Sequence, residues 1–155
     1  MLRLFSALLV VFLATAATAG EWTYEGGSVP IAYIDNGKAQ FQFACRGGDL
    51  AMGFWVRSPS KTVAGAASMN MAITPDGALT SYAQDMPLIH SDGSSMIVRG
   101  PVARQWARIA QQAKDSVQVA YVHKDTAGKL HVFDSSEFGA KGSSQAIRQV
   151  LERCG

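Results

Sequence analysis

His90, Ser91 and Asp92 carry the three residue types of a hydrolytic triad. Three neighbours in sequence cannot face one another, however, because triad partners come from separated segments that meet in space. No G-x-S-x-G elbow accompanies them. Met86, His90 and Met96 share one stretch, and Met69 and Met71 alternate on one strand face. Thioether and imidazole donors together suit Cu(I). Methionine is equally a filler of irregular cores, which is what alternation at 69 and 71 suggests. His123 and His131 fall on the two arms of a late hairpin as possible cross-strand neighbours, but two ligands do not close a metal site. Asp134 and Glu137 offer an acid and a base at a spacing ordinary for a loop.

Among binding candidates, Arg104 and Arg108 stand one helical turn apart and could clamp an anion or a carboxylate. They also fit the role of solvent-facing arginines beside a buried stripe. Trp22 and Trp55 offer aromatic contacts to a partner. The strand around Trp55 is apolar on both sides, which places that indole beneath a helix. Gly47-Gly48 opens no helix and has no lysine after it, so it is not a phosphate loop. No cofactor is implied.

The elements that would position these residues read mostly as strands. Val29–Ile34 and Ala39–Cys45 flank Asn36-Gly37, a strong hairpin signal because both turn residues tolerate positive φ. In the return strand Ala39, Phe41, Phe43 and Cys45 point one way, and Gln40 and Gln42 the other. Leu50–Arg57 follows, with Leu50, Met52, Phe54 and Val56 on one side and Ala51, Gly53 and Trp55 on the other. Small residues at 51 and 53 would let a helix approach closely. A strand through Met69–Ile73, a return over Leu79–Gln84, an irregular stretch at 85–95 and a short strand at Met96–Arg99 come next. Gly100-Pro101 opens a helix near 101–114, since proline suits a first turn. Val117–Lys124 and Lys129–Phe133 form another hairpin. A last helix, near 143–153 and capped by Ser143 or Ser144, buries Ala146, Ile147, Val150, Leu151 and Cys154. The expected fold is α+β, an antiparallel sheet packed by two helices.

Residues 1–19 read as a cleavable secretory signal: Arg3, the apolar run Leu4–Leu13, then Ala17-Thr18-Ala19 before Gly20. The run is short for a bilayer span, which needs about 20 apolar residues. No cysteine lies near the cleavage site to carry a lipid anchor. Residues 20–155 then form one α+β domain with no membrane span after cleavage, in the periplasm or secreted. The formal net charge is +2, and one of those charges belongs to Arg3. So nearly neutral a surface gives no electrostatic reason to expect nucleic acid as a partner. Cys45 and Cys154 are the only cysteines, and in an oxidising compartment they pair. The bond closes a loop of about 110 residues, worth on the order of 4–5 kcal/mol in the chain-entropy model.

The whole layout resembles small periplasmic proteins of alphaproteobacteria. The residues behind this are the Cys45 strand, the apolar strand Leu50–Val56, the Trp106 helix and the ending Phe133, Phe138, Gly142-Ser143-Ser144-x-Ala146-Ile147, Leu151 and Cys154. In element order it is also similar to the periplasmic accessory family linked to type VI secretion. The resemblance implies an exported, non-enzymatic binding or accessory domain with a periplasmic or envelope protein partner, and it supplies no catalytic residue. The alternatives are a small secreted hydrolase using His90, His123 or His131, and a periplasmic copper- or other metal-binding protein.

Overall fold

A computed structural model describes residues 20–154; the secretory signal expected at 1–19 lies outside the described residues. The chain begins with β1 (Thr23–Glu25) and β2 (Ile31–Asp35), which turns through Asn36-Gly37 into β3 (Ala39–Arg46). Gly37 has φ +85°, and the Asn36 side chain accepts from the amides of Lys38 and Ala39. A second tight turn leads to β4 (Asp49–Val56). After the four-residue helix α1 (Lys61–Ala64) come β5 (Ser68–Pro75), β6 (Ser81–His90) and β7 (Ser94–Arg99). Helix α2 (Gly100–Gln112), β8 (Ser116–Lys124), β9 (Leu130–Gly139) and helix α3 (Ser143–Arg153) complete the chain.

The strands form one sheet in the order β1-β2-β3-β4-β7-β6-β5-β8-β9, and every pairing is antiparallel. The sheet curls into a half-barrel. Phe41 and Phe54 of the first half thereby reach Phe138 of the last strand, with ring centroids 5.8 and 6.4 Å away. Side chains stitch the two edges near one end. Asn36 Nδ2 donates to the Glu137 carbonyl at 3.2 Å, and Trp22 Nε1 donates to the Gly139 carbonyl at 3.1 Å.

The expectation of an antiparallel sheet in an α+β fold holds, but the sheet is larger and the described residues hold three helices. Helix α1 escapes periodicity because it is a single turn. Ser60 caps it by accepting from Val63 N, and Val63 is fully buried. Helices α2 and α3 cover the inner face, where Trp106, Ala107, Ala110, Ile147 and Val150 meet Phe41, Met52 and Phe54 in one core. The α3 cap is Gly142 at φ +81°, not Ser143 or Ser144, and Ser143 is buried. Cys45 and Cys154 form the expected disulfide, with Cα atoms 5.5 Å apart, and it ties the end of α3 to β3. Among the described residues no helix is long and apolar enough to cross a membrane.

Candidate functional site

The Met/His set expected around β6 does not converge. Met86 and His90 lie four residues apart on one strand, roughly 13 Å at about 3.3 Å per residue. Met96 is fully buried and pairs with Leu88 between them. Both ring nitrogens of His90 are engaged: Nδ1 with Ser94 Oγ and Nε2 with the Ala66 carbonyl, each at 2.8 Å. A carbonyl only accepts, so Nε2 carries the proton, and Nδ1 is taken up by the serine hydroxyl. No imidazole lone pair is left for a metal. Met69 and Met71 are buried in the core. No group of three or more His, Cys, Asp or Glu is placed to hold a metal among the described residues.

The hydrolytic residues are likewise dispersed. His90 is bonded to Ser94 rather than Ser91, and Asp92 sits in the β6–β7 turn at φ +57°. His123 and His131 are cross-strand partners, as their spacing suggested. His131 Nε2 reaches Asp125 Oδ2 at 2.9 Å, and this contact helps to hold the Asp125 carboxyl below its usual range. Asp134 lies in a β9 irregularity at φ +48°, and its carboxylate accepts from Ser60 N and Ser60 Oγ at 2.9 and 3.1 Å. It caps α1. Glu137 is exposed. Arg104 donates to the Cys154 carbonyl at 2.9 Å, where a cation complements the C-terminal end of α3, while Arg108 is exposed.

Trp55 is where the structure departs most usefully from the sequence reading. It lies on the outer face of the sheet, not beneath a helix. Helices α2 and α3 pack on the opposite side of β4, against Met52 and Phe54. What removes the need for a helix is Gln42: its Cγ would stand 3.1 Å from a Cβ on Gly53, so a neighbouring side chain covers the glycine. The register aligns Gln40, Trp55 and Ser95 in one row across β3, β4 and β7, and Gln42, Gly53 and Ile97 in the next. Trp55 Nε1 donates to the Asp92 carbonyl at 3.0 Å, and the Arg57 guanidinium lies 4.6 Å from the ring centroid. Arg57 is itself held by Asp35, whose carboxyl that guanidinium keeps below its usual range.

Two open cavities flank this row. One, of about 380 Å³, is bordered by Gln40, Gln42, Gly53, Trp55, Ser95 and Ile97. The other, of about 460 Å³, lies toward the seam between Lys38, Arg57, Ser58 and Ser135. The alternation of Gln40 and Gln42 opposite the Phe41/Phe43 side was the sequence signal for an outward polar face. That Trp55 and Ser95 share this face follows from pairings not visible along the chain.

No protein-family model and no curated protein matches the chain. Among solved structures, its fold is similar to the crystal structure of invasion associated protein B from Bartonella henselae, with a TM-score of 0.56 and 11% identity, over 88% of this chain and 95% of that one.

Proposed function

We propose that the chain is an exported, periplasmic, non-enzymatic binding or accessory domain that meets an envelope component through the outer face of β3, β4 and β7. The observation that carries this reading is the row Gln40–Trp55–Ser95, which stands on a sheet face that no helix covers among the described residues. An aromatic side chain set among hydrogen-bonding groups is the composition of a contact surface. Export is supported by the signal pattern at 1–19 and by the Cys45–Cys154 bond, a linkage rare in reducing compartments. The similarity of layout to small alphaproteobacterial periplasmic proteins and to the type VI secretion accessory family adds to it. The likeness to invasion associated protein B bears on the fold alone.

The test is capture from an envelope extract by the mature, oxidised domain, with Trp55→Ala as control. The expected outcome is an envelope component retained by the native domain and lost with the variant. Retention that is indifferent to Trp55, or hydrolytic turnover with nothing retained, would overturn the reading.

A further inference from the structure

The smaller outer-face cavity has a hydrogen-bonding pattern that defines a ligand. All six side chains or backbones named at its border are uncharged. Gln40 Nε2 donates to Gln42 Oε1 at 2.7 Å, which fixes both amides. That bond leaves Gln40 Oε1 as an acceptor and Gln42 Nε2 as a donor, side by side on one face of β3. Neither atom, nor Ser95 Oγ, has another hydrogen bond among the described residues. The indole is held by its bond to Asp92 and by Arg57 over one side. Arg57 borders the seam cavity and not this one, whereas Trp55 borders this one. Gly53, under the Gln42 side chain, borders the cavity without a side chain of its own.

We propose that this cavity binds one pyranose unit of a neutral glycan. The inference rests on the outer face being the contact surface, and it names the ligand. A pyranose has an apolar C–H face that suits an aromatic wall, and vicinal hydroxyls that each donate and accept. Those hydroxyls match an adjacent acceptor and donor fixed on one strand, with the serine hydroxyl two strands away. An anionic ligand finds no cationic side chain at the border of this cavity, and Arg57 beside it is committed to Asp35. An apolar peptide side chain would strip water from Gln40 Oε1, Gln42 Nε2 and Ser95 Oγ and return no hydrogen bond, which is costly. A few placed polar groups beside an aromatic surface are what small-molecule sites use to fix orientation.

The experiment titrates the mature, disulfide-bonded domain with maltotriose and with triacetylchitotriose, following backbone, amide side-chain and indole N–H resonances by NMR. Saturable shifts centred on Gln40, Gln42, Trp55 and Ser95 with at least one of the two sugars are expected. Trp55→Ala should weaken that binding by about tenfold or more, equivalent to about 1.4 kcal/mol. Gly53→Val should do the same while keeping the indole, since its Cβ would press on Gln42. Circular dichroism confirms that each variant is folded. No saturable shift with either sugar up to about 20 mM, where even a millimolar Kd would show, overturns the proposal. So do shifts elsewhere that both variants leave intact. If the sugars fail while an envelope protein is captured in a Trp55-dependent manner, the glycan falls and the contact face stands. If both fail, the two readings fall together.

Discussion

Tyr121 shows how one side chain can organise a core built from two halves of a curled sheet. It is fully buried on β8, and its hydroxyl points at the carbonyls of Phe54 on β4 (3.1 Å) and Ser94 on β7 (3.2 Å). A single O–H shared between two acceptors is worth about 1 kcal/mol net. Tyr121→Phe should therefore lower the midpoint of urea unfolding by a corresponding amount, without changing the slope. Burial raises the Tyr121 pKa above its ordinary value of 10.0, so the phenol is kept neutral in the fold. The stability linked to that shift is fully present below pH 10 and falls as pH rises beyond it. Carboxylates act in the opposite sense. Asp35 is held low by Arg57, and Asp76 by the amides of Asp115, Lys114 and Ser116, both below an ordinary value of 3.8. Their contribution is complete above that range and is lost as pH falls through the depressed folded values. Acid unfolding followed by circular dichroism should accordingly begin below about pH 4, and Asp76→Asn should remove part of the dependence.

At the scale of the elements, the β6–β7 turn links fold to site. Gly93 has φ +116°, and a Cβ there would stand 2.3 Å from the Val56 carbonyl and 2.8 Å from Trp55 Nε1. Gly93→Ala should cost about 1–3 kcal/mol and displace the indole, visible as a lower melting temperature together with an altered Trp55 resonance. Which elements the sequence revealed follows from the same local physics. The β2–β3 hairpin was legible from Asn36-Gly37, although of the two only Gly37 takes positive φ while the Asn36 side chain accepts from the next amides. Helices α2 and α3 were legible because their buried residues recur at helical spacing. Residues 86–90 were not legible as strand. Asp85 at φ +51° accompanies a register shift opposite Met69 and Met71, so the alternation breaks, and Pro87 then reads as loop. Trp55 was misplaced for a related reason. Alternation tells which residues share a face, but a face of Ala51, Gly53 and Trp55 looks buried whether a helix or a glutamine side chain covers its gap.

For the molecule as a whole, the strand order is the part sequence patterns reach least. β4 pairs with β7, and β5 lies between β6 and β8, so each half of the sheet depends on partners distant in the chain. Such pairings are decided by the joint fit of the core, not by any local signal. The candidate site shares this property, since Gln40, Trp55 and Ser95 come from three strands. One long-range link was legible, because two cysteines allow one pairing. The Cys45–Cys154 bond spans 109 residues and fixes α3 against the sheet. Reducing it should lower stability by up to about 4–5 kcal/mol in the chain-entropy model, read as a shift of the denaturant midpoint with and without reductant.

An exported domain closed by that bond is the claim on which both functional readings depend. It is tested most directly by intact mass and N-terminal sequencing of the native protein, isolated from its cells without reductant. A chain that starts at Gly20 and weighs two hydrogens less than the dithiol is expected. A chain that keeps Met1, or two thiols open to alkylation, would contradict it.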